Sequence, residues 1–372
     1  MTEISMAGAH SEGVPCLLEA DFKKHLRSFE LDVSFRAEGG CLGILGPSGC
    51  GKSMTLKAIA GIVRPDSGRI RLKAGENRGG ELLFDSKTGV NVPPQKRKVG
   101  YLFQNYALFP NMTVEQNIAV GLKGRKDSRR IVAELIERFR LNGLEKQYPG
   151  KLSGGQQQRT ALARMLAYEP NAMLFDEPFS AMDTFLREGL RLELVKVLKE
   201  YHGVSIMVTH DRDEAYQLCD HLLLMDEGKV IAEGETREVF DNPRTVSAAR
   251  LTGCKNISRI QRIGDYRVKA LDWDGLELVC GSRVDDGITS IGIRAHDFEP
   301  LGEAEAEALK SREDANLIQV ADPDISEMPF EWYVMLRNGL WWKIGKEMRT
   351  HEAAEKIPAW LRIKPSAVLL LK

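Results

Sequence analysis

The fold of this chain is decided by the stretch Gly46-Pro47-Ser48-Gly49-Cys50-Gly51-Lys52-Ser53. An apolar run at residues 41–45 precedes it, and a helix-like run at residues 54–60 follows it. A buried strand, a glycine-rich turn and a helix start form a cradle for phosphate, because glycine lets backbone amides turn inward and the helix start adds positive potential. A glycine-rich turn alone is more often structural. Here Lys52 is placed to reach the outer phosphates and Ser53 to ligate Mg²⁺, which favours nucleotide binding.

Composition narrows the class of protein. The 372 residues are enough for two or three domains, and 43% of them are apolar. With 52 basic and 53 acidic residues the formal net charge is −1, so no nucleic-acid partner is expected. The six cysteines show no CxxC spacing, which favours reduced thiols over zinc or disulfides. No apolar run approaches the ~18 residues of a membrane helix, so we expect any membrane association to come through a partner.

A short apolar strand at residues 99–103 ends in Gln104. In an open α/β sheet ligands bind at the carboxyl ends of strands, so Gln104 is a candidate contact for a metal ion or an attacking water. The three basic residues Lys96, Arg97 and Lys98 precede this strand, and they predict a solvated surface turn.

Two further strands end in polar residues. Residues 172–175 form an apolar run that leads into Asp176 and Glu177. Buried carboxylates need a cation or a proton, so we assign Asp176 to Mg²⁺ and Glu177 to polarising a water for phosphoryl transfer. The run at residues 204–209 leads into His210. A lone histidine is more often structural, but at this strand end it is a candidate to contact the γ-phosphate or to align Glu177 and water.

A second candidate anion site lies at Leu152-Ser153-Gly154-Gly155-Gln156, which opens a helix-like run. Ser153 is a suitable N-cap, and the two glycines expose the first amides of the helix. From these residues alone, an anion site and a capped surface helix stay equally open.

In this order the motifs resemble those of the ATP-binding subunits of ABC transporters, over residues 15–245. The resemblance implies an α/β P-loop NTPase, an ABC ATPase with a RecA-like core and a helical subdomain at about residues 105–165. It implies that residues 46–53 and Met54 bind ATP. It also implies that Ser53, Gln104 and Asp176 hold Mg²⁺, that Glu177 is the general base and that His210 is a switch, with Gln104 coupling hydrolysis to transport.

The resemblance further implies a homodimer that closes around two ATP molecules. Ser153, Gly154, Gly155 and Gln156 would act in trans on the γ-phosphate bound by the opposite subunit, and Asp183 would link the two sites. The family also stacks an aromatic side chain on adenine. Residues 23–27 offer none, and Phe29 or Phe22 could substitute only if the loop bends suitably, so the residue that contacts adenine stays open.

Beyond about residue 250 the chain changes to short β-like runs separated by turn residues, as in a small barrel. We therefore expect a tail at residues 1–14, an ATPase domain at residues 15–245 and a β-rich, OB-like barrel domain at residues 246–372. This last part resembles the carboxyl-terminal regulatory domain of importer ATPases. Residues 252–256 and 292–297 are most similar to the molybdate and sulfate branch.

The importer resemblance implies partners and a location. It implies two transmembrane permease subunits docked near Gln104 and the helical segment, an extracytoplasmic solute-binding protein acting indirectly, and a peripheral place on the cytoplasmic face of the membrane. Two alternatives stay open: the same motor for a polyamine, iron or a sugar, and a soluble ABC ATPase acting on ribosomes or DNA. A further hypothesis makes Arg294, His296 and Lys255 the cations of an inhibitory anion site.

Overall fold

The computed structural model describes residues 16–74, 80–122, 124–180, 184–312, 314–345 and 357–372. The chain divides into two compact units between Thr236 and Arg237. The boundary predicted at residues 245/246 stays a prediction. Every helix in the described ranges is too short or too polar to cross a membrane.

Unit 1 is built on one sheet of eleven described strands, with helices between some of them along the chain. Its strands are β1 (Leu17–His25), β2 (Glu30–Glu38), β3 (Gly40–Leu45), β4 (Ser67–Lys73), β5 (Glu81–Asp85), β6 (Val90–Asn91), β7 (Val99–Leu102), β8 (Ala172–Asp176), β9 (Val204–Thr209), β10 (His221–Asp226) and β11 (Lys229–Glu235). Its α-helices are α1 (Lys52–Ala60), α2 (Val114–Ala119), α3 (Ser128–Arg138), α4 (Gly154–Ala167), α5 (Thr184–Glu200) and α6 (Arg212–Leu218). Single 3-10 turns lie at Pro94–Lys96, Val120–Leu122 and Pro149–Lys151.

The strand order is β6-β5-β4-β1-β2-β11-β10-β3-β9-β8-β7. Strands β1, β2, β4, β5 and β6 pair antiparallel, whereas β10, β3, β9, β8 and β7 pair parallel to their neighbours in that order. In the parallel part the carboxyl ends of β3, β9, β8 and β7 therefore lie side by side at one edge of the sheet. This edge collects the residues that follow those strands.

The parallel strands are apolar on both faces because helices cover both. In β8, Leu174 packs in the cluster that contains α1, and its neighbours Met173 and Phe175 pack in the cluster that contains α2, α3 and α4. Side chains alternate between faces along a strand, so Asp176 lies on the same face as Leu174, toward α1. The α1 face is the one that carries the phosphate loop.

The predicted solvated turn is wrong for Arg97, which is 0% exposed. Its guanidinium donates hydrogen bonds to the backbone oxygens of Ala58 and Ile59 at the end of α1 and to the oxygen of Val92. Burial lowers the pKa of Arg97 to about 10. The last carbonyls of a helix lack intrahelical donors, and Arg97 supplies them. It thereby fixes the far end of the helix that starts at the phosphate loop.

Unit 2 is β-rich, as the sequence predicts. Helix α7 (Thr236–Asp241) spans the division between the units, and the further helices are α8 (Val246–Leu251) and α9 (Glu303–Lys310), with a 3-10 turn at Pro365–Ala367. The strands are β12 (Asn256–Arg262), β13 (Arg267–Ala270), β14 (Leu276–Val279), β15 (Ser290–Ile293), β16 (Phe298–Leu301), β17 (Asn316–Gln319), β18 (Asp324–Glu327), β19 (Glu331–Met335), β20 (Trp341–Gly345), β21 (Trp360–Ile363) and β22 (Leu369–Leu371).

The strands of unit 2 form antiparallel sheets in the orders β14-β13-β12-β15-β22, β16-β21-β17 and β18-β19-β20. All three sheets contribute to one apolar cluster, with Ile291, Leu361 and Trp342 as one buried member from each. Several short antiparallel strands around one core are typical of an OB-like domain.

Candidate active site

The phosphate loop, residues 46–53, connects the carboxyl end of β3 to α1. Three of its positions accept only glycine. A Cβ on Gly46 would lie 2.2 Å from the backbone oxygen of Met225, and Gly49 and Gly51 have φ of 84° and 107°. Gly51 is also the N-cap residue of α1. Glycine is therefore required at these positions by the backbone conformation and by the close approach of neighbouring backbone. Because these positions have no Cβ atoms, the backbone amides around the helix start stay accessible.

The Lys52 side chain is folded into the loop. It is 4% exposed, and its Nζ donates to the backbone oxygens of Gly46 and Pro47, at 2.8 Å each. A buried ammonium group needs acceptors, and here the loop itself supplies them. The positive charge is thereby held inside the cradle of amides, where a phosphate would meet it.

Asp176 lies at the carboxyl end of β8 and is 6% exposed. Its Oδ1 accepts a hydrogen bond from the Ser53 hydroxyl at 2.6 Å, and its Oδ2 accepts one from the Tyr101 hydroxyl at 2.8 Å. Burial, followed by the charge of Asp176 and this hydrogen bond, raises the pKa of Tyr101 well above its ordinary value, so Tyr101 stays a donor. The sequence-predicted pair Ser53 and Asp176 is therefore brought into direct contact.

Glu177 follows Asp176 and has a φ of 46°, in the left-handed region. Its Oε1 lies 3.2 Å from Nδ1 of His210, and its Oε2 accepts a longer hydrogen bond of 3.5 Å from Nε2 of Gln104. The Glu177 amide donates to the backbone oxygen of Val208 at 3.0 Å, which ties the residue to β9. Residues after β7, β8 and β9 thus meet around one carboxylate, as the sequence predicts.

The residues at this edge suit a hard divalent cation. The two hydroxyls that donate to Asp176 are neutral, and no Lys, Arg or His lies within ion-pair distance of Asp176 in the described chain. A buried carboxylate without a counter-charge is costly, and a cation offsets that cost. No cluster of three or more His, Cys, Asp or Glu side chains able to hold a metal occurs among the described residues. The hydroxyl of Ser53 and a single carboxylate fit Mg²⁺, which retains waters and binds phosphate oxygens in addition to a few protein groups.

The second predicted anion site begins α4. Ser153 accepts a hydrogen bond from the Gln156 amide at 3.3 Å, and the Gln156 side chain accepts one from the Ser153 amide at 2.9 Å, which completes a capping box. Ser153 and Gly154 are exposed, and a Cβ on Gly154 would meet no atom within 4 Å. Within the described chain, no hydrogen bond joins residues 153–156 to the phosphate loop or to Glu177. Ser153 and Gly154 are therefore open toward solvent, whereas Gly155 is buried.

The structure separates the two aromatic candidates for adenine. Phe22 is 1% exposed and belongs to the core of unit 1, so the prediction that it could stack on a base is wrong. Phe29 is half-buried, and its ring edge lies 3.4 Å from the point where a Cβ on Gly51 would be. Asp183 lies outside the described residues.

Sequence reasoning missed the role of Tyr101. The pattern of β7 marks Tyr101 only as a strand residue, and its contact with Asp176 depends on the parallel pairing of β7 with β8. A tyrosine three residues before Gln104 is a weak signal, and only the order of the strands in the sheet gives it significance.

The cations proposed for an inhibitory anion site in unit 2 are engaged within the unit. Arg294 donates to the backbone oxygen of Thr252 at 2.8 Å and to that of Phe240. Lys255 lies over the ring of Tyr333, with Nζ 4.1 Å from its centroid. Arg294 is therefore a structural residue, and the prediction that it binds an anion is wrong.

A phosphate loop, a hydroxyl and carboxylate pair and a strand-end glutamate lie at one edge of the parallel part of the sheet, and together they define a nucleoside triphosphatase of the P-loop class. Residues 30–180 match the family described as ABC transporter. The chain is 42% identical over 241 residues to a sulfate/thiosulfate import ATP-binding protein of Synechococcus elongatus, covering 63% of this chain and 67% of the relative. It is also 42% identical over 258 residues to a molybdate/tungstate import ATP-binding protein of Pyrococcus horikoshii, covering 66% of this chain and 71% of the relative. The chain belongs to the family of ATP-binding subunits of ABC transporters, and it is an ATPase.

A solved structure of an ABC transporter component is also similar to this chain. CbiO1 of Clostridium perfringens, part of the ABC transporter complex CbiONQ, superposes with a TM-score of 0.51 at 28% identity, covering 63% of this chain and 92% of that one. The likeness is to the ATPase core, and it supports the fold predicted from the motifs.

Proposed function

We propose that this chain is the motor subunit of an importer that takes up a small oxyanion, molybdate or sulfate, and that ATP binding and hydrolysis in a homodimer drive the uptake. The observation that carries the proposal is the meeting of Lys52, Ser53, Asp176, Glu177 and His210 at the shared edge of β3, β9 and β8. The two similar import proteins, for sulfate/thiosulfate and for molybdate/tungstate, support the choice of an oxyanion.

Each residue at this edge has one part of the hydrolysis. Lys52 and the amides of the loop bind the β- and γ-phosphates, and they hold the γ-phosphorus still. Glu177 accepts a proton from the water whose oxygen attacks that phosphorus, while the bond to the β–γ bridging oxygen breaks and ADP leaves. His210 holds the Glu177 carboxylate in line with the attacking water. Gln104 couples the state of this carboxylate to the helical segment.

We assign Ser53, Asp176 and Gln104 as the residues that would hold Mg²⁺. When bound, Mg²⁺ neutralises charge on the phosphate oxygens. The Ser53 to Asp176 hydrogen bond keeps two of these oxygens together beforehand. Phe29, beside Gly51, is the residue that we assign to the adenine ring.

The open start of α4 supports a composite site. Ser153 and Gly154 are exposed at the start of α4, and the first amides of a helix bind anions. In the homodimer Ser153, Gly154, Gly155 and Gln156 act in trans on the γ-phosphate bound by the partner, and Asp183 links the two sites. We further propose that two permease subunits dock near Gln104, that an extracytoplasmic binding protein delivers the solute, and that the motor works at the cytoplasmic face.

The test of the motor is Glu177→Gln. This change removes the proton acceptor but keeps the shape, so ATP hydrolysis should stop while ATP still closes the dimer. Phosphate release and the oligomeric state in ATP are measured together, with Glu134→Gln as the matched control, because Glu134 lies on α3 in a surface ion pair with Arg130. A Glu177→Gln protein that stays monomeric in ATP contradicts the proposal.

The solute is tested separately in vesicles that contain the complete transporter. Uptake of labelled molybdate, tungstate and sulfate is compared with uptake of spermidine. Stimulation of ATP hydrolysis by an oxyanion alone supports the proposal. Stimulation by spermidine alone refutes the oxyanion while leaving the motor intact.

A further inference from the structure

A buried glutamine of α4 contacts the segment that carries Glu177. Gln158 is 0% exposed, and its Nε2 donates to the backbone oxygen of Pro178 at 3.1 Å. Its Oε1 has no hydrogen-bond partner in the described part of the chain. Pro178 is the residue directly after Glu177, so this bond reaches the backbone next to the general base.

The net contribution of Gln158 to stability is small. Its unpaired Oε1 costs about as much free energy as its Nε2 saves by satisfying the buried Pro178 oxygen. An aliphatic side chain of the same length would remove the unpaired atom but would leave the Pro178 oxygen without this donor. What Gln158 provides is a fixed position for the backbone beside Glu177.

The backbone of Glu177 needs support from outside its own segment. A non-glycine residue with a φ of 46° persists only when its surroundings fix it. The Glu177 oxygen accepts hydrogen bonds from the amide and the hydroxyl of Ser180, at 3.2 and 3.0 Å, within the same turn. Val208 of β9 holds the Glu177 amide from one side. The bond from Gln158 holds the following peptide from the other side.

We propose that Gln158 is a positioning residue for the hydrolysis, which fixes the Glu177 carboxylate by holding the peptide oxygen of Pro178. The inference rests on the proposed role of Glu177 as general base. Without the bond, the turn relaxes and the carboxylate spends less time in line with the attacking water. The chemical step slows, whereas ATP binding at the phosphate loop is unchanged.

The test is Gln158→Met in the full-length chain, since methionine keeps the length and removes the donor. The matched control is Gln217→Met. Gln217 is exposed on α6, its Oε1 accepts a hydrogen bond from Arg191 at 3.1 Å, and it lies beside Gly40 at the amino end of β3. For Gln158→Met we expect kcat to fall about fivefold, the equivalent of one neutral hydrogen bond, with KM for ATP within about twofold and a melting temperature lower by no more than about 3 °C. Gln217→Met should leave kcat near that of the unaltered protein.

A double-mutant cycle separates positioning from general damage. In a Glu177→Ala background, Gln158→Met should cause no further loss of the residual rate, because there is no carboxylate left to position. An equal fivefold loss in that background, or a kcat for Gln158→Met that matches Gln217→Met, overturns the inference. ATP-dependent dimerisation of Glu177→Gln is measured beside it, so that a failure of the proposed dimeric motor is seen as such and is not confused with a failure of Gln158.

Discussion

Replacing Tyr101 with phenylalanine removes one hydroxyl from the candidate active site and little else. In the unaltered protein this hydroxyl donates to Oδ2 of Asp176 at 2.8 Å, and Asp176 is 6% exposed. A hydrogen bond to a charged group contributes about 2 kcal/mol, and the loss leaves one carboxylate oxygen without its donor. We therefore expect the free energy of unfolding of the nucleotide-free protein to fall by about 2 kcal/mol. The Ser53 bond to Oδ1 stays, so ATP should still bind.

The measurement is urea denaturation of the nucleotide-free chain, followed by denaturation at saturating ATP and Mg²⁺. Tyr148→Phe is the matched control, because Tyr148 is 49% exposed and its hydroxyl is far less desolvated. The control should change the free energy of unfolding by less than about 0.5 kcal/mol. A Tyr101→Phe protein that is as stable as the control refutes the argument that this hydroxyl holds Asp176.

Three further changes test other parts of unit 1. Arg97→Met leaves the last carbonyls of α1 without donors and should lower the free energy of unfolding by about 3 kcal/mol in urea denaturation, whereas a loss below about 1 kcal/mol contradicts the cap. Burial raises the pKa of the Glu214 carboxyl, so the folded state keeps its proton to higher pH than the unfolded state, and stability falls as pH rises through that range. Glu214→Gln keeps an acceptor for the Thr209 hydroxyl without the charge. The melting temperature of this variant should therefore exceed that of the unaltered protein at pH 8 and converge with it near pH 4. A difference in melting temperature that does not change with pH contradicts the raised pKa of Glu214. Lys52→Ala should reduce phosphate release roughly 100-fold or more, and an unchanged rate removes Lys52 from the site.

The positions of the residues at the strand ends could be predicted from one rule: the carboxyl ends of parallel strands lie at the same edge of a sheet. This rule predicts that Gln104, Glu177 and His210 lie close together, although 106 positions separate the first from the last. The same rule places Ser53 near Asp176. The catalytic roles of these residues stay predictions that the substitutions above test.

Contacts that depend on packing could not be predicted. Arg97 lies between two lysines, a pattern that indicates a solvated turn. It is nevertheless buried, because α1 packs beside it and its guanidinium caps the carboxyl end of that helix. Phe22 and Phe29 look equivalent in the sequence, and the alternation of β1 decides that Phe22 faces the core. The contacts of Tyr101 and Gln158 depend on which strand and which turn pack against them. No local sequence pattern predicts that packing.

The position of β9 in the sheet has a consequence for how the protein is made. This strand lies between β3 and β8, yet it leaves the ribosome after both. A nascent chain that ends before residue 204 already contains the phosphate loop and the acidic pair, but it lacks the strand that sets them side by side. We therefore expect ATP hydrolysis to begin only after β9 has been synthesised, when more than half of the chain has left the ribosome.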